Sequence, residues 1–176
     1  HNLSNLASAL AVAALYRIPK RNVQRALRVF QGLEGRLEYV GTKRGVKFYN
    51  DTTATAPDAV IAALRSFAKP GRITLLTGGV DKNLDYKPLA QFLKTHTPKT
   101  LVLLPGTATD KLRKYLIRNN IKYQIMHSMH EAVRTAWRVA QKGDIILLSP
   151  GAASFNLFKN EFDRGEQFIR EIKKLV

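Results

Sequence analysis

Cysteine is absent from the 176 residues, which excludes disulfides, thiolate metal sites and cysteine nucleophiles. No apolar stretch approaches the ~20 residues of a bilayer-spanning helix, and no charged-then-apolar leader opens the chain. A soluble, cytoplasmic protein with no membrane partner is therefore expected. Acidic residues are scarce, with 13 Asp and Glu against 29 Lys and Arg, a formal net charge of +16. Such a field attracts polyanions, nucleotides and nucleic acid among them. The basic residues are scattered, from Arg17, Lys20, Arg21, Arg25 and Arg28 through Lys43, Arg44 and Lys47 to Lys173 and Lys174. Without an RNA-recognition aromatic motif or a zinc spacing, no nucleic-acid partner is expected.

Other absences narrow the chemistry. The G-x-x-x-x-G-K-[ST] spacing of a P-loop is missing, and so is the Gly-x-Ser-x-Gly of a hydrolase elbow. The four histidines are His1, His96, His127 and His130. His127 and His130 lack a third ligand partner, so no metal site is expected. The chain begins at His1 rather than Met and reads as part of a longer protein.

What is present suits a folded α/β domain. The chain is 45% hydrophobic and 24% charged, enough to bury a core. Residues 3–16 carry Leu3, Leu6, Leu10, Ala13 and Ala14 at helical spacing, and a second helix presents Val23, Ala26, Leu27 and Phe30 on one face. Gly32 and Gly35 bracket a break that serves as the domain boundary and the hinge. Beyond it, 37–40 and 46–49 read as a hairpin around Gly41 to Gly45. A helix is expected over 56–68, with Thr55 and Asp58 at capping-box spacing. Strands at 73–77, 100–104, 122–126 and 144–149 then alternate with helices at 86–95, 109–119, 130–141 and from about 164. The runs 73–76, 101–104 and 145–148 are almost wholly apolar, as in parallel strands covered on both faces. The fold class is α/β, a Rossmann-like doubly wound, mostly parallel sheet with an N-terminal helical pair.

In such sheets ligands bind beyond the carboxyl ends of the strands. Four segments qualify: Asn50-Asp51-Thr52-Thr53-Ala54-Thr55, Gly78-Gly79-Val80-Asp81-Lys82, Pro105-Gly106-Thr107 and Ser149-Pro150-Gly151-Ala152-Ala153-Ser154-Phe155. Small and polar, they suit an anion held by backbone N–H groups and helix N-termini. Thr55 and Ser154 can each cap a following helix or face a ligand, and Lys82 offers an ammonium to an acidic substrate. Trp137 and the Phe155, Phe158, Phe162 series read as core.

In their joint order and spacing the segments 50–55, 78–82 and 149–155, together with 1–5, 32–38 and 158–165, resemble the Mur ligases across essentially the whole chain. Within that family they are most similar to the branch that adds D-glutamate to UDP-N-acetylmuramoyl-L-alanine. The resemblance implies three domains in the complete enzyme. Residues 1–32 would be the last helices of the central ATPase domain, and 33–176 the C-terminal Rossmann-like domain. It also implies peptidoglycan synthesis through an acyl-phosphate intermediate by a monomeric enzyme. The substrates would be ATP, D-glutamate and the UDP-linked muramoyl-alanine, with Mg2+ held mainly by the central domain. Asn2, Asn5, Arg36 and Asp51 would approach ATP. Thr55, Lys82 and Ser154, with the backbone near Phe155, would grip D-glutamate. The present residues, lacking the P-loop and the UDP-binding domain, are expected not to ligate alone.

Two positions depart from the family pattern. Thr53 stands where lysine is common, and Glu161 where a phenylalanine often lies against the substrate. Neither inherits a role. The Asp-Asn-Pro-Arg motif of a diaminopimelate adder is absent, while another Mur ligase such as a lysine adder, a folylpolyglutamate-type amide ligase and a basic nucleic-acid module stand as alternative readings.

Overall fold

A computed structural model describes residues 2–176, without the side chains of residues 2–4 and 70; His1 lies outside the described residues. The chain divides between Gly32 and Leu33 into two compact units. The first holds α1 (Asn2–Leu15) and α2 (Lys20–Val29). Arg17, at φ +52°, ends α1 in a Schellman turn in which Ile18 N–H donates to Ala13 O and Arg17 N–H to Ala14 O. Pro19 then fixes the entrance to α2.

The second unit runs β1 (Glu38–Lys43), β2 (Val46–Asn50), α3 (Pro57–Arg65), β3 (Ile73–Gly78), α4 (Lys87–Thr95), β4 (Thr100–Leu104), α5 (Thr107–Arg118), β5 (Gln124–Ile125), α6 (Met129–Val139), β6 (Ile145–Leu148) and α7 (Glu161–Lys173). Its sheet has the order β1-β2-β6-β3-β4-β5, with only β1 antiparallel. Arg44 and Gly45, both at positive φ, form a two-residue hairpin turn tighter than the five-residue one expected. A bulge between Tyr39 and Gly41 absorbs the extra residue.

Strand alternation sends side chains into two cores. Leu75, Leu101, Leu103 and Leu147 meet α3, α4 and α5 on one face. Leu76, Val102, Leu104, Ile146 and Leu148 meet α6 and α7 on the other. This explains why those strands read as unbroken apolar runs. Each fully buried leucine contributes roughly 1.5–3 kcal/mol. Trp137 packs as expected, with its ring 5.9 Å from that of Phe48.

Three local expectations are corrected. Thr55 does not cap α3. Ala56 occupies the cap position without a side-chain bond, and Pro57 opens the helix, needing no N–H acceptor there. Ser154 caps no long helix either, because the chain makes a short turn and restarts at α7 with Asn160 Oδ1 accepting from Asp163 N–H. That restart breaks the spacing of the phenylalanine series. Phe158 is buried, whereas Phe155 and Phe162 are 68% and 55% exposed.

Candidate ligand-binding rim

The loops that leave the carboxyl ends of β2, β3, β4 and β6 are stitched together by backbone. Gly151 N–H donates to Ala54 O at 2.8 Å, joining the loops after β6 and β2. Val80 and Ala153 exchange bonds of 2.8 and 2.9 Å, joining those after β3 and β6. Ala108 N–H reaches Gly79 O at 3.0 Å, drawing in the start of α5. The crossing is so close that a Cβ on Gly106 would overlap the Gly79 carbonyl, and one on Gly79 would overlap Ala153 O. Both glycines sit at positive φ, so a side chain is barred twice over. Hydroxyls brace the crossing from within. Thr77 Oγ1 donates to Pro150 O, Thr109 Oγ1 accepts from Gly79 N–H, and Tyr86 O–H donates to Gly151 O. Burial, aided by the charge of Asp81, pushes the Tyr86 phenol up to about 12, so it stays a donor at neutral pH.

Among the groups left uncommitted are the three polar heads expected to meet an acidic substrate. Lys82 is exposed and makes no hydrogen bond or ion pair among the described residues. Its neighbour Asp81 is already paired with Lys111 and accepts from Leu84 N–H, and the Lys111 bond holds its carboxyl below the usual range. Thr55, freed from capping, is half-buried with an unbonded hydroxyl. Ser154 is 2% exposed, and its Oγ is buried without a partner. A buried hydroxyl left unpaired costs about 1–3 kcal/mol. These are the three side chains expected to grip a diacid, one from each stitched loop. Phe155, expected beside them through its backbone, exposes its ring.

The residues expected near ATP are differently placed. Asp51 is 8% exposed and already occupied: Oδ1 accepts from Leu37 N–H at 3.0 Å and Oδ2 from Ser149 O–H at 2.7 Å. Burial raises its pKa, against those two bonds and the charge of Arg36. Its grip on Leu37 matters, because Leu37 sits at φ +48°, a costly conformation for a leucine. Arg36 is exposed. Asn5 is exposed on α1, in the first unit, and the Asn2 side chain lies outside the described residues.

Thr53, the departure from the family pattern, has local work. Its N–H and Oγ1 both donate to Gly35 O, at 3.0 and 2.8 Å. Gly35 N–H donates to Glu38, which also accepts from Asn50. Gly35 is therefore fastened to the loop after β2 and is not a free swivel. Glu161 opens α7, and its carbonyl accepts from Thr52 O–H. Among the described residues there is no group of three His, Cys, Asp or Glu that could hold a metal ion. His130 instead pairs with Glu171 at 2.7 Å.

Sequence reasoning gave no part to the groups beneath the rim: Thr77, Thr109 and Tyr86, Ser149 although it lies in a rim segment, and above all the buried Arg164. Gly-Thr-Ala-Thr at 106–109 was the one local signal, since hydroxyls flanking a strand-to-helix glycine often serve the backbone.

The fold is a doubly wound α/β domain whose rim carries one ammonium and two hydroxyls that the protein itself does not use. The chain belongs to the Mur ligase family: residues 35–151 match the Mur ligase, glutamate ligase domain. It is 44% identical over its whole length to the UDP-N-acetylmuramoylalanine--D-glutamate ligase of Roseiflexus sp. (strain RS-1), covering 38% of that protein. With the same-named enzyme of Borreliella afzelii (strain PKo) it shares 40% identity over 96% of this chain and 36% of the other. The chain thus spans less than two fifths of these relatives' length. Among solved structures, MurF from Acinetobacter baumannii shares the fold, with a TM-score of 0.71 at 16% identity over 99% of this chain and 38% of that one.

Proposed function

We infer that the chain is the C-terminal part of an ATP-dependent ligase that adds D-glutamate to UDP-N-acetylmuramoyl-L-alanine, a step of peptidoglycan synthesis in the cytoplasm. One observation carries the reading. Three loops hydrogen-bonded to each other bear Thr55, Lys82 and Ser154, and none of these polar heads is used by the protein. A dicarboxylic amino acid has the complementary chemistry, with the ammonium of Lys82 taking the charge and the two hydroxyls fixing orientation. The names of the relatives point the same way.

In this reading ATP phosphorylates the muramoyl-alanine carboxylate with release of ADP, and the D-glutamate amine attacks the acyl carbon, losing a proton and expelling phosphate as the amide forms. Every participant is anionic, so the domain's task is charge placement and alignment of the amine. Arg36 supplies positive charge for the nucleotide. Asp51 acts by holding Leu37 and the loop after β2. The nucleotide role of Asn2 and Asn5 rests on the resemblance alone. Residues up to Gly32 are assigned to the central ATPase domain and 33–176 to the C-terminal domain.

The test uses the full-length protein that carries this segment. Phosphate release and product mass are followed with UDP-N-acetylmuramoyl-L-alanine, ATP and a panel of D-glutamate, L-glutamate, L-lysine and meso-diaminopimelate. Turnover is expected with D-glutamate alone. Lys82→Ala should raise the KM for D-glutamate about a hundredfold while leaving that for ATP within about twofold. Turnover with a different amino acid, or an unchanged KM in Lys82→Ala, would overturn the reading.

A further inference from the structure

The loops that carry Thr55 and Ser154 are joined by more than backbone, because a guanidinium lies between them. Arg164, in the first turn of α7, is 0% exposed and has no carboxylate within ion-pair distance among the described residues. Its Nε–H donates to Thr52 Oγ1 at 3.1 Å and Nη2 to Thr52 O at 2.7 Å, while Nη1 donates to Ala152 O at 3.1 Å. Thr52 O–H in turn donates to Glu161 O at 2.6 Å. The helix approaches closely, since a Cβ on Gly165 would stand 2.9 Å from Thr52 Cγ2.

A buried cation with only neutral acceptors is a costly fastening. Desolvation lowers the Arg164 pKa to about 10, so it remains charged at neutral pH. Apolar residues would pack such a space at less cost. What they lack is a planar fork with donors in three fixed directions, which a lysine ammonium cannot reproduce either. That fork spans Thr52, three residues before Thr55, and Ala152, two residues before Ser154.

We propose that Arg164 is a positioning residue for the amino-acid pocket: it does not meet the substrate, and by holding Thr52 and Ala152 it sets the spacing between Thr55 and Ser154. This rests on the D-glutamate reading of the rim. In the full-length protein, Arg164→Lys is expected to raise the KM for D-glutamate about tenfold, with kcat and the KM for ATP within about twofold. Thr52→Val keeps the side-chain volume and removes the hydroxyl that accepts from Nε; a rise of about threefold is expected. A merely structural arginine would lower the melting temperature and the active fraction but leave the KM of the surviving enzyme unchanged. Unchanged KM values in both folded variants overturn the proposal, and where Arg164→Lys fails to fold, Thr52→Val decides alone. Lys82→Ala separates the two levels. If it raises the KM while both loop variants do not, only the role of Arg164 falls. If it has no effect, the pocket reading falls and the proposal with it.

Discussion

Two buried aspartates stand at opposite ends of the parallel strands and differ in sign. Asp144, just before β6, receives the Lys99 ammonium at 2.5 Å and the Gln141 N–H at 2.8 Å. Burial alone would raise its pKa, but those bonds and the charges of Lys99 and Arg72 bring it below the usual value. Asp51, just after β2, has only a hydroxyl and an N–H for partners, and burial wins. The end with the paired aspartate is built for stability. The end with the unpaired one tolerates an uncomfortable carboxylate and a strained Leu37, and it is where open α/β sheets bind ligands. An orphaned hydroxyl does not by itself tell the ends apart, since Thr74 Oγ1 near the amino end of β3 lacks a partner as Ser154 Oγ does. Size would mislead here. A cleft of about 920 Å3 opens at the first end, beside Lys94, Asn120, Lys122 and Tyr123. It lies at the amino ends of β4 and β5, away from where open α/β sheets bind ligands.

The contrast can be broken most forcefully at Asp144. Asp144→Asn should lower the free energy of unfolding by roughly 3 kcal/mol at pH 7, read from urea melts. Because the folded pKa is depressed, that stability is present above the unfolded carboxyl value and lost as pH falls through the folded one. The gap between variant and wild type should therefore close in acid. Asp51→Asn should behave oppositely and more weakly. Its raised folded pKa makes the aspartate's contribution complete below the unfolded value and lost as pH rises through the folded one. The variant should be about 1 kcal/mol less stable than wild type near pH 4, with the deficit narrowing toward pH 8. A deficit that instead widened with pH would show Asp51 to be comfortably ionised. The smallest effect belongs to the large cleft: Lys122→Ala should leave the KM for D-glutamate and kcat within about twofold. A larger change there would move the site to the wrong end of the sheet.

Much of this was legible in the chain. Ile73 to Leu76, Leu101 to Leu104 and Ile145 to Leu148 announced strands buried on both faces, because a central parallel strand has no solvent side. The rim segments followed from reading what comes after each strand. Local signals failed where two meanings shared one pattern. Thr55 with Asp58 looks like a capping box, yet Pro57 opens the helix without one. The phenylalanines at 155, 158 and 162 look like one face of a helix, yet the chain restarts at Asn160. The Arg164 fastening was out of reach for a different reason: it joins residues 112 positions apart, and no local pattern encodes that meeting.

The insertion of β6 between β2 and β3 has a consequence for biogenesis. Asn50 and Leu76 both await Leu148 as a neighbour, so neither half of the sheet is finished until β6 has been made. A nascent polypeptide emerging from the ribosome would display β2 and β3 with unpaired edges until β6 has followed them. Such edges template pairing with other chains. The domain should thus assemble late and in one cooperative event, and truncation before Ile145 should yield aggregates rather than a smaller folded core.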